Sequence, residues 1–258
     1  MQKKRVVIIG TGRSGTSYTS KLLRECGIDV GHEALGRDGA SSWYLTTDFE
    51  AFDGLDWADI ESEPFLVGQQ IRHPLKTIPS LMTFNKRSQD FIRRSGVHDV
   101  KPKSRFHEAM LHWYYWNRMA FDRADFHWTL EGLNPEILPI LNGAGYAVNP
   151  DDLGQGMDQL FEVVNSSKTR VLSLKRAINT SPLVYLRRVR QAYFPMDPTW
   201  EDLRHVDRQL ADDIERFYRE YKASVRFRQG LDALDAETIQ REKKNVEGDY
   251  VREASTSM

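Results

Sequence analysis

A single cysteine, Cys26, stands among 258 residues, which rules out an internal disulfide and leads us to expect a reducing, cytoplasmic setting. Long apolar runs are missing too. None approaches the roughly 18 residues of a membrane-crossing helix, and the first apolar segment opens at Val6, so neither a membrane span nor a signal peptide is expected. No sign of charge dominates. With 36 Lys and Arg against 37 Asp and Glu, the net charge of −1 provides no global field for nucleic acid or an anionic membrane. The chain also lacks clustered His/Cys metal spacing, a Gly-x-Ser-x-Gly nucleophile elbow and internal repeats.

What remains, 40% hydrophobic and 28% charged residues, suffices for one sizeable α/β core. We assign it to residues 1–228. Residues 229–258, charged and small, read as a partly disordered tail. The informative part lies at the front. Val6-Val7-Ile8-Ile9 is an apolar run that breaks into Gly10-Thr11-Gly12-Arg13-Ser14-Gly15-Thr16-Ser17, the pattern of a parallel strand buried on both faces and followed by a tight turn. Ser17 to Cys26 reads as the next helix, with its N-terminus facing an anion held by the loop. The loop departs from the nucleoside-triphosphate pattern G-x-x-x-x-G-K-[ST]. Thr16 stands where lysine belongs, and the cation has moved to Arg13.

A second strand-like run, Phe65 to Ile71, ends in Arg72-His73-Pro74, with Ser80 eight residues after Arg72. Arginine offers phosphate a bidentate fork and serine a neutral donor. Pro74 suits a first helical turn, whereas Pro79 is expected to strain the helix that presents Ser80. A third piece, Gly31-His32-Glu33, follows the apolar Ile28 to Val30.

Together these residues resemble the sulfotransferases that use 3′-phosphoadenosine 5′-phosphosulfate (PAPS). The likeness covers Lys4 to Met82, and beyond that only the general run of elements. It implies a three-layer α/β/α, P-loop-like fold with a central parallel sheet and the donor lying across the strand ends. By the same resemblance Gly12, Arg13, Ser14, Gly15, Thr16 and Ser17 hold the 5′-phosphosulfate, and Arg72 and Ser80 hold the 3′-phosphate. No metal is required. In the glutamate-using branch, similar to tyrosylprotein and bacterial sulfotransferases, Glu33 is the base that takes the acceptor's proton, with His32 as the alternative. Arg13 then steadies the leaving phosphate, and 3′-phosphoadenosine 5′-phosphate (PAP) is released. The acceptor stays open among saccharide, peptide, lipid and small molecule, as does the oligomeric state. The rival reading is a P-loop kinase or another nucleotide-binding protein.

Farther along, Ala34 to Asp48 reads as a loop lining an acceptor site. Lys86 to Arg105 is basic without clear apolar periodicity, and either a solvated face, a lid or an acceptor strip fits it. Lys86 and Arg87 both compete for a further donor contact. Phe106 to Asp122 has helical apolar spacing through Met110, Trp113, Tyr114, Asn117 and Phe121, with Tyr115 and Trp116 off the stripe. Asp125 to Leu130 and Gly145 to Val148 are expected strands, and Glu131-Gly132-Leu133 loosely matches a strand end of the family. Lys175 is a weak donor candidate. From Trp200, apolar steps to Tyr221 predict one long helix.

Overall fold

The computed structural model describes residues 3–48, 55–62, 65–132, 137, 140–148 and 197–228. Five parallel strands form the sheet, in the order β2-β3-β1-β4-β5: β1 Arg5–Ile9, β2 Val30–His32, β3 Gly39–Ser41, β4 Phe65–Ile71 and β5 Phe126–Thr129. Alternation along β1 makes the layers. Val6 and Ile8 pack with Leu22 and Leu23 of α1 (Thr16–Glu25), while Val7 and Ile9 pack with Leu45, Ile60 and Ala120 on the opposite face. Successive side chains of a strand point to opposite faces, so a strand that is apolar throughout needs cover on both. Ile60 belongs to α2 (Trp57–Ser62) and Ala120 to α5 (Arg105–Arg123).

The same edge collects the loops. In an all-parallel sheet every C-terminal strand end lies on one side, and here the chain leaves β1 toward β2 and β3 but leaves β4 toward β5. The order therefore reverses between β1 and β4, the place where open α/β sheets form a binding crevice. The loop 10–17 and the segment from Arg72 flank that point.

Several expectations change. Ala34 to Asp48 contains β3 and a 3-10 turn, Tyr44–Thr46, because Ala40 and Ser41 pair between β1 and β2. The basic segment contains a helix, α4, Lys86–Arg94, capped by Asn85, whose side chain accepts from the Ser88 N–H. Its buried face is only Ser88, Phe91 and Ile92, too little to show in periodicity. The α3 helix, Pro74–Leu81, runs through Pro79 and ends two residues later. Trp116 is fully buried, since α5 is enclosed on most sides, and its aromatic run packs in the core. Gly145 to Val148 forms no strand. There the Tyr146 hydroxyl bonds the Lys4 carbonyl at 2.8 Å instead.

The long C-terminal helix is two helices, α6 Trp200–Val206 and α7 Arg208–Arg228. Asp207 divides them because its carboxylate accepts the Leu210 N–H at 3.1 Å and an ion pair from Lys103 at 2.7 Å. Residues 229–258 and Lys175 lie outside the described residues, as does Leu133. Among the described residues no helix is long and apolar enough to cross a membrane.

One core residue carries a stability consequence. His112 on α5 is 2% exposed, its two ring nitrogens meet no hydrogen-bond partner among the described residues, and burial pushes its pKa down to about 3. An unfolded histidine titrates near 6.5, so below that pH the unfolded chain binds the extra proton first and stability falls as pH drops toward 3. At pH 5 the loss from this residue is about 2 kcal/mol. We expect His112→Leu to remove that share of the acid slope while leaving stability at pH 7 equal or higher, because it deletes an unpaired polar group. Urea unfolding at pH 7 and pH 5 measures it, and an unchanged slope in the variant contradicts the assignment.

Candidate active site at the C-terminal strand edge

The loop after β1 is built by close backbone approach. A Cβ at Gly10, whose φ is +147°, would stand 2.3 Å from the Gln70 carbonyl oxygen, and one at Gly12 would stand 2.2 Å from Cζ of Phe84. Gln70, fully buried on β4, donates from Nε2 to the Ser14 carbonyl at 2.7 Å and accepts from the Thr19 hydroxyl of α1. It ties the loop to the helix. On the other side Thr46 closes the loop mouth, accepting from the Gly10 N–H at 3.2 Å and donating to the Gly10 carbonyl at 3.0 Å. Ser41 donates to the Thr16 carbonyl at 3.0 Å.

The start of the helix that follows the loop suits an anion. Helix α1 starts from Gly15, in left-handed backbone, with no side-chain cap and no acidic residue in its first turn, so its N–H groups and dipole favour negative charge. The hydroxyls of Thr11 and Ser14 are buried without a partner among the described residues. Thr16 is buried and Ser17 half-buried. Among the described residues no three His, Cys, Asp or Glu side chains gather as a cation site.

Arg13 and Glu33 are the two non-glycine residues with positive φ among those described, at 67° and 48°. Such backbone costs energy and persists where surrounding contacts impose it, often at functional sites. The Arg13 guanidinium donates to the Thr83 hydroxyl at 3.3 Å and lies 5.1 Å from the Phe84 ring centre. Partial burial draws its pKa below the ordinary arginine value, and the Glu33 charge pushes it back up. The side chain as a whole is exposed, so it remains a cation. Glu33 is exposed as well, its N–H bonded to the Ser41 carbonyl at 3.1 Å and its Oε1 receiving the Trp43 indole N–H at 3.2 Å. His32 instead turns Nδ1 to the Ser41 carbonyl at 3.2 Å. That oxygen only accepts, so Nδ1 carries the hydrogen.

Arg72 follows β4 and is half-buried, and Ser80 is half-buried on α3. The Thr83 hydroxyl that receives Arg13 also donates to the Ser80 carbonyl at 2.7 Å, so the two halves of the site meet through Thr83. His73 caps α3, its Nδ1 accepting from Leu75 N–H at 3.2 Å. Burial lowers its pKa, opposed by Glu131, whose Oε1 accepts the His73 N–H at 3.2 Å. Glu131 thus joins the β5 end to the β4 end. Lys86 is paired with Asp90 along α4.

Sequence reasoning missed Trp43, Thr46, Gln70, Thr83 and Phe84. Thr46, Gln70, Thr83 and Phe84 meet partners far along the chain, Trp43 meets Glu33 ten residues away, and no local pattern marks any of them. Compared with protein-family models, with curated proteins and with solved structures, the chain matches none.

Proposed function

We propose that the protein is a PAPS-dependent sulfotransferase with a P-loop-like α/β/α fold. One observation carries the reading. Arg13 and Glu33, singled out for opposite chemical tasks, are the two described non-glycine residues in left-handed backbone, and they follow β1 and β2 on the same edge of the sheet.

The residues fit the donor. The uncapped start of α1, the loop 12–17 and the Thr11 and Ser14 hydroxyls suit a monophosphate joined to a sulfuryl group, and Arg72 with Ser80 suits the 3′-phosphate. When bound, PAPS supplies an activated sulfuryl group: the acceptor oxygen or nitrogen bonds to sulfur as the bridging S–O bond breaks, and the electron pair leaves on the phosphate of PAP. Glu33 takes the acceptor's proton on its carboxylate. Arg13 faces the negative charge that grows on the leaving oxygen. The lone Cys26 and the lack of a membrane-length helix among the described residues are compatible with a cytoplasmic enzyme.

A thermal-shift comparison tests the donor. A ligand at about 100 times its Kd adds roughly 2.7 kcal/mol to the folded state, so PAP is expected to raise Tm by several degrees. Adenosine 5′-phosphate, lacking the group for Arg72 and Ser80, should do less. Stabilisation by Mg-ATP equal to or above that of PAP would replace this reading by the kinase one.

A further inference from the structure

We infer that Trp43 is a positioning residue for the Glu33 carboxylate, an inference that rests on the sulfotransferase reading. An exposed glutamate on a flexible stem occupies many rotamers, and each must be left behind before it can accept a proton along one direction. Among the described residues, one hydrogen bond tethers the Glu33 carboxylate. The Trp43 indole N–H reaches Oε1 at 3.2 Å, and the proposal leaves Oε2 to meet the acceptor.

The donor itself cannot swing away. Trp43 is 4% exposed, with ring centres of Tyr44, Phe84, Trp116 and Phe91 at 4.1, 5.3, 5.4 and 5.5 Å. Its backbone carbonyl accepts the Trp116 indole N–H at 3.1 Å. A buried, close-packed ring is a rigid donor. The same frame reaches the cation, because Phe84 packs on Trp43 and carries the Arg13 guanidinium over its ring. Base and cation are thereby held to one aromatic cluster.

Trp43→Phe keeps one ring in the cluster but removes the N–H together with part of the bicyclic indole, so the Glu33→Ala background is needed to separate the lost hydrogen bond from lost packing. In labelled-PAPS transfer we expect kcat to fall about 10-fold, the usual size for one hydrogen bond to a charged group, with the PAPS KM and the PAP-induced Tm shift unchanged. In a Glu33→Ala background the same change should cost less than about 2-fold, since the residue acts through Glu33. A second measurement needs no turnover. The indole N–H cross-peak of Trp43, assigned by its loss in Trp43→Phe, should move in Glu33→Ala full-length protein. An unmoved cross-peak, or equal kcat losses in both backgrounds, overturns the inference. Absence of transfer to any acceptor, with the cross-peak moving, instead overturns the sulfotransferase reading and leaves the pairing standing.

Discussion

Glu33→Gln is expected to lower sulfuryl transfer to a hydroxyl acceptor by about two to four orders of magnitude, the usual worth of a general base, while PAP binding survives. The substitution keeps length and an oxygen for the Trp43 N–H, so the frame around the site is retained and only the basic lone pair changes. His32→Ala should cost far less, because in this reading the acceptor's proton goes to the Glu33 carboxylate and the His32 ring only bonds the Ser41 carbonyl of β3 through Nδ1. The measurement is transfer from labelled PAPS to the best acceptor found among saccharide, phenol and peptide pools. Near-normal turnover in Glu33→Gln with collapse in His32→Ala would move the base to the histidine.

Arg13→Ala should reduce kcat at saturating PAPS by about 100-fold, comparable to losing one donor aimed at developing negative charge. Arg72→Ala should act differently. It sits at the end of β4, on the 3′-phosphate side of the proposed donor, so its loss is expected to raise the PAPS KM with little change in kcat. Initial-rate kinetics on both variants separate the roles. If both alter KM alone, Arg13 only binds the donor.

The parts of this site that were legible from sequence are those written locally. Val6 to Ser17 announces strand, turn and helix through an apolar run broken by three glycines, and Phe65 to Pro74 does so through an apolar run ended by proline. What was hidden depends on pairing across the sheet. Nothing around Trp43 signals that its N–H meets Glu33, and Thr83 reaches Arg13 across 70 residues. The short strand β3 escaped notice because three residues containing glycine and serine carry no strand pattern alone, and they are extended only because β1 and β2 supply partners. Asp207 was hidden likewise: the apolar spacing continues across it, while its carboxylate starts a new helix.

Gln70 bears on how a ligand would arrive. Its amide joins the Ser14 carbonyl to the Thr19 hydroxyl from a fully buried position, so the loop's shape is set by the protein alone. An anion entering such a cradle orders little that was disordered, and less of its contact energy is lost to conformational entropy. On the proposed reading, association at this loop resembles a key meeting a cut lock, and any further adaptation falls to the side chains around Glu33.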